Sequence, residues 1–252
     1  MDLKDRFETI DGSAPEPTPL SEAIGKTHPL PAFALLEGGD VFEALGGKPP
    51  REGATVALRW VESHVELLPH GASAAHRTRV RNDLVRQLSG NPALTGRLLA
   101  ARPLSVDLVP AGRSMAAYGY PKAVSARASG LFWDHPSWPR ARIALRQDRL
   151  DEEAALVIHE AAHAIGALAF TGAERKALHR VLLPTYRTRA AAEEVFAIYS
   201  EREFVAGFEA KDFAAPGVYG RTRTRWSEEH LLTRFVRHLY FPHKPLAGPK
   251  GP

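Results

Sequence analysis

The sequence predicts an α+β fold in which a small twisted sheet packs on one unusually apolar helix. Three observations predict it. Strand signals are short and grouped between residues 104 and 145. Helical periodicity dominates on both sides of that group. The helix that follows the strands, over residues 151–170, is apolar nearly all round, the pattern of a buried helix.

Taken in order, residues 1–53 are rich in proline, glycine and isolated charges, as in Ala14-Pro15-Glu16-Pro17-Thr18-Pro19. They read as an N-terminal extension. The main domain is expected over 54–241. Residues 55–68 carry a mixed periodicity that suits helix and strand alike. Residues 74–88 read as a helix with Val80, Leu84, Val85 and Leu88 on one stripe. Asn91-Pro92 ends it, and a further helix is expected over 93–101. Residues 104–109 alternate, 130–133 are short and aromatic, and 141–145 set Ile143 and Leu145 on one face among arginines.

Asp148 or Asp151 is expected to cap the apolar helix. Glu152 and Glu153 then fall in its first turn, where the helix dipole favours negative charge. This helix should run to about Phe170 and stop at Thr171-Gly172. Helices over 173–183 (ended by Pro184), 189–208 and 227–240 complete the domain. The last bears Leu231, Leu232, Phe235, Val236 and Leu239 as its stripe. Residues 242–252, with four prolines, read as a loose tail. There is no internal repeat.

The chain of 252 residues has no cysteine, which excludes disulfides, thiolate metal sites and a cysteine nucleophile. Any metal must be held by His, Asp or Glu. The 33 basic residues only slightly outnumber the 29 acidic ones, a net charge of +4 that implies weak attraction for anions at most. The N-terminus lacks a cationic region followed by an apolar run, and no stretch approaches 18 apolar residues. The expected location is therefore the cytoplasm, with no membrane partner and with export by a signal-independent route as the alternative.

His159-Glu160-Ala161-Ala162-His163 lies in the middle of the apolar helix. Residues at i and i+4 project from one helical face, so both imidazoles can reach one tetrahedral zinc. A carboxylate next to the first histidine stands near the open coordination position and can take a proton from water. A chance pattern on a buried helix would leave two histidines and a glutamate without partners, at a cost of several kcal/mol. A zinc ion supplies the partner.

A catalytic zinc needs a third protein ligand. One class of zinc peptidases continues the motif to a glycine and a further histidine. Gly166 fits that pattern, but residue 169 is alanine. The other route takes a carboxylate from a following helix, and Glu193 and Glu194 are both placed for it.

The motif together with Glu194-Val195-Phe196-Ala197-Ile198-Tyr199-Ser200-Glu201 resembles the glutamate-zincin metallopeptidases of the anthrax lethal factor and Mlc titration factor A type. The resemblance spans residues 104–208. It implies a zincin-like fold and a zinc-dependent peptidase acting on a peptide or protein. It also implies His159, His163 and Glu194 as metal ligands and Glu160 as general base. The family's transition-state tyrosine is matched by Tyr186, which lies eight residues before Glu194 rather than seven. In such peptidases a strand upstream of the zinc helix pairs with extended substrate, and 141–145 is expected to be that edge strand. An ordinary sheet edge guarded by Arg140, Arg142 and Arg146 is the alternative.

Glu201, two turns from Glu194 on one face, is a candidate to hydrogen-bond a ligand histidine. His179, His230 and His238 read as ordinary surface or core histidines. Tyr199 and Tyr219 are reserve oxyanion partners. The run Arg221-Thr222-Arg223-Thr224-Arg225-Trp226 reads as a solvated loop. Two rivals from other classes stand beside the peptidase: a non-catalytic zinc-binding interaction module, and a nucleic-acid-associated protein using its arginines.

Overall fold

A computed structural model of the chain describes residues 52–125, 128–186, 188–204 and 226–242, with the backbone alone for residues 183–186 and 226–230. The expected extension (but for residues 52 and 53), the tail beyond residue 242, the basic run before Trp226 and Tyr219 lie outside the described residues.

The ambiguous stretch 55–68 is helix first and strand second. Helix α1 (Glu52–His64) buries Ala57, Trp60 and Val61 at helical spacing and hands directly to strand β1 (Val65–Leu68). Helices α2 (Ala74–Leu88) and α3 (Pro92–Leu99) follow, each opened by a side-chain cap from Ser73 and Asn91. Then come β2 (Leu104–Val109), a 3₁₀ turn (Met115–Tyr118) and the short α4 (Lys122–Ser125). Strands β3 (Gly130–Trp133) and β4 (Ala141–Arg146) complete one four-stranded sheet in the order β1-β2-β4-β3. β1, β2 and β4 are parallel, and β3 runs antiparallel to β4.

Two expectations about the strands need correction. The alternation at 104–109 does not give a wet face: all six residues of β2 are buried. Leu104, Val106 and Leu108 face the helical core, while Val109 packs with Met115, Tyr120 and Ala144 on the other side. The polar half of the alternation enters an internal network. Asp107, 1% exposed, accepts from the Tyr120 hydroxyl at 2.7 Å and Arg142 at 2.7 Å, with His70 Nε2 at 2.9 Å.

The second correction concerns the edge. Residues 141–145 belong to β4, which is paired on both sides; the edge strand beside the apolar helix is β3. The arginines around β4 guard no edge. Arg140, Arg142 and Arg146 pair with Glu66, Asp107 and Asp148.

The expected helix over 148–170 is two helices, α5 (Gln147–Glu152) and α6 (Leu156–Leu168). Neither has a side-chain cap, since Arg146 and Ala155 occupy the cap positions. The break is held instead by α2. The Arg79 guanidinium donates to the carbonyls of Leu150, Glu153 (2.8 Å) and Ala154 (3.0 Å). Groups that a continuous helix would satisfy internally are satisfied by a side chain about 75 residues upstream in sequence.

Helix α7 (Gly172–Tyr186) runs two residues past Pro184. Proline removes one backbone donor, but its φ near −65° is itself helical. Thr188 caps α8 (Arg189–Phe204) by accepting from the Ala191 amide at 3.2 Å. The expected continuation to residue 208 lies outside the described residues. α9 (Trp226–Tyr240) buries Leu232, Phe235, Val236, Leu239 and Tyr240. α6 ends up between the strands β3 and β4 and the helices α2 and α8. No helix among the described residues is long and apolar enough to cross a membrane.

Candidate metal centre

Helix α6 buries Leu156, Val157, Ile158, Ala161, Ala162, Ala164 and Ile165, so its polar residues are carried into the interior with them. His159 and His163, one turn apart, bring their Nε2 atoms to 3.2 Å. α8 crosses that face and supplies Glu194, with Oε1 3.2 Å from His159 Nε2 and Oε2 3.3 Å from His163 Nε2. Among the described residues these three form the only His/Asp/Glu group spaced to hold a metal.

The spacing is informative. Tetrahedral zinc with bonds of about 2.0–2.1 Å sets its donor atoms roughly 3.3–3.4 Å apart. The Nε2–Nε2 contact and the two imidazole–carboxylate contacts, each to a different oxygen of Glu194, lie close to that separation. Hydrogen bonding alone does not satisfy this triangle. If both imidazoles donate to Glu194, two N–H groups face each other across 3.2 Å. If one imidazole donates to the other, the acceptor nitrogen faces a carboxylate oxygen. Protons serve two sides of the triangle, whereas a cation at its centre serves all three. The donor set therefore fits zinc.

Glu193 is turned away. Successive helical residues are rotated by about 100°, and the Glu193 carboxylate lies 3.8 Å from His179 Nε2 instead. His163, Arg175, His179 and Glu193 wall a small cavity between α6, α7 and α8, lined otherwise by apolar groups such as Phe170 and Phe196.

Glu201, two turns beyond Glu194 on α8, makes a short hydrogen bond with His159 Nδ1. An Nδ1–H donated to this carboxylate leaves the Nε2 lone pair directed into the triangle. The candidate second partner of a ligand histidine is thus at the ring it was expected to serve.

Glu160 is 6% exposed and sits under the start of β3. A Cβ on Gly130 would stand 2.6 Å from both Glu160 Cγ and Oε1, so the approach of the strand requires glycine there. Burial pushes the Glu160 carboxyl above its ordinary range, opposed by the nearby His159 and His163 and by the Phe132 backbone N–H. Burial also acts against charge on His159, but the Glu194 and Glu201 carboxylates outweigh it and hold the ring well above the usual histidine range. Burial would raise Glu194, yet its hydrogen bonds with His159 and His163 hold it far below the usual carboxylate range. These opposed shifts mark a buried group of charges that depend on one another.

No protein-family model, curated protein or solved structure matches this chain.

The remaining candidates divide clearly. Tyr186 is the last residue of α7, and its side chain lies outside the described residues. Tyr199 is buried in the core beneath the Arg202 guanidinium, 5.0 Å from its ring centre. His238 lies in the last turn of α9, and the side chain of His230 is outside the described residues. Sequence reasoning missed Gly130 and Phe132. A glycine opening a strand is a signal for close approach of another group, but nothing local says which group approaches.

Proposed function

We propose that this chain is a zinc-dependent peptidase with a zincin-like fold. The observation that carries the reading is the triangle of His159, His163 and Glu194, with a buried carboxylate, Glu160, on the residue next to the first ligand. His159, His163 and Glu194 would hold the ion. When bound, zinc supplies a Lewis acid that makes water nucleophilic near neutral pH and polarises a carbonyl.

The other tasks fall to the chain's own residues. Glu160, its affinity for protons raised by burial, accepts the proton of the attacking water and delivers it to the leaving amine. Glu201 fixes the tautomer and orientation of His159. β3, paired only with β4 among the described residues, offers its outer edge to an extended peptide directly above Glu160. An edge strand over the base favours an extended peptide as substrate.

The test compares the wild-type chain with Glu160→Gln. Zinc content is measured by mass spectrometry and hydrolysis on a library of fluorescence-quenched peptides. The expected result is about one zinc per chain in both forms and a loss of activity of roughly 10²–10⁴-fold in the variant. Zinc-loaded wild-type chain that cleaves no peptide in the library would instead favour a non-catalytic zinc-binding module.

A further inference from the structure

The triangle depends on α6 and α8 keeping a fixed separation and register. A buried polar chain runs behind them. Gln87 on α2 donates from Nε2 to the Ile158 carbonyl at 3.1 Å and to the Tyr240 hydroxyl at 3.0 Å. The Tyr240 hydroxyl donates to Ser200 Oγ at 3.1 Å, and Ser200 donates to the Phe196 carbonyl at 3.0 Å. Each proton is used once: Gln87 donates to both sides, and from Tyr240 onward each hydroxyl accepts from one neighbour and donates to the next. Gln87, Tyr240 and Ser200 are all at most 1% exposed.

The ends of this chain adjoin the centre in sequence. Ile158 precedes His159, and Ser200 precedes Glu201, which holds His159 by its other nitrogen. Tyr240 itself is locked from α9. Asn91 donates to the Leu239 carbonyl at 2.6 Å, and Gly90 has no Cβ where one would meet the Tyr240 carbonyl at 2.4 Å. Burial keeps the Tyr240 hydroxyl protonated, so it remains a donor. The arrangement also carries a cost: Gln87 Oε1 is buried without a partner. An apolar side chain would fill this position without that penalty. A fully buried amide that leaves one atom unsatisfied is better explained by the geometry it enforces than by the stability it adds.

We propose that Tyr240, with Gln87 and Ser200, forms a positioning device for the metal centre, holding α6 and α8 at the separation where His159, His163 and Glu194 converge. This rests on the reading of those three residues as zinc ligands. α9, which supplies none of these three ligands, is thereby part of the metal site.

The experiment uses the full chain with Tyr240→Phe, which removes one oxygen atom, and with Ser200→Ala, which suits a helix and retains the fold. Zinc affinity is measured by competition with a chromophoric chelator, and the cobalt(II) form is examined by visible absorption. Each folded variant is expected to bind zinc about tenfold more weakly, at the low end of the effect of removing an outer partner of a ligand. The cobalt spectrum should shift, because ligand angles change. The double variant should lose little more than either single one, because both cut the same chain. Folded variants with wild-type zinc affinity and unchanged cobalt spectra would overturn the proposal. A wild-type chain that binds no zinc would overturn the ligand reading instead, which keeps the two failures distinct.

Discussion

Gly130→Ala tests whether β3 and Glu160 form one catalytic unit. The added Cβ would meet Glu160 Cγ and Oε1 at 2.6 Å and Cδ at 2.8 Å, where ordinary contact begins at 3.4 Å. One partner must retreat by about 0.8 Å. The strand is held by its pairing with β4 through Gly130–Leu145 and Leu131–Ala144, so the side chain of Glu160 moves. Misplacing a catalytic group by about 1 Å costs roughly 10²-fold in rate, or about 2.7 kcal/mol of barrier. The crowding should also lower stability by about 1–3 kcal/mol. The added Cβ meets Glu160 and none of the three metal ligands, so zinc affinity should change far less than turnover. The assays are kcat/KM on a cleaved peptide, zinc affinity by chelator competition, and urea unfolding. Wild-type kcat/KM would refute the reasoning outright. Zinc lost together with activity would show that Gly130 supports the metal centre and not the base.

Two further predictions concern the ligands themselves. Glu194→Gln should weaken zinc binding by orders of magnitude while Glu193→Gln changes it little, because only Glu194 reaches both imidazoles; isothermal titration of the two variants decides between adjacent residues. The pH dependence of the metal-free chain follows from the opposed shifts of His159 and Glu194. His159 is raised, so its contribution to stability is full below its unfolded value of 6.5 and is lost as pH rises through its folded value. Glu194 is lowered, so its contribution is full above its unfolded value of 4.5 and is lost only in strong acid. Zinc requires the unprotonated ring. The difference in Tm between zinc-loaded and metal-free chain should therefore widen from about pH 6 to pH 8.5, and zinc binding should release protons. A difference that narrows over that range would contradict the assignment.

How much of this was legible in the sequence depends on distance along the chain. The His159–His163 pair needs only helical spacing. Spacing alone left Glu193 and Glu194 equally open, and the choice of Glu194, with Glu201 two turns on, rested on the resemblance. α2 and α9 read almost to the residue because their apolar stripes are regular. The failures are non-local. The break between α5 and α6 is made by Arg79, far upstream, and no feature of residues 148–156 announces it. The alternation of β2 identifies a strand but not what covers its polar residues: Tyr120, Arg142 and His70 close over Asp107. The edge was assigned to β4 by its place in the chain before the helix. The reversed strand β3, which takes that edge, has only four residues and no alternation to betray its neighbours.

The frame around α6 separates the two halves of the proposed chemistry. β3 bears on the base through Gly130, and the chain from Gln87 through Tyr240 bears on the metal ligands through Ile158 and Ser200. These supports approach α6 from the sheet and from the helical layer, and they share no residue. A perturbation of one should therefore leave the other's function standing. Gly130→Ala should give a chain that binds zinc and turns over poorly. Tyr240→Phe should give one that binds zinc more weakly while the contact between Glu160 and β3 stays as it is. The same helix can serve both ends because its middle residues are alanines: Ala161 and Ala162 are buried and let strand and helix close on either side of the polar residues they flank. A bulkier residue at 162, where Ala162 is 0% exposed, would push against the packing that carries both supports and should damage zinc binding and turnover together.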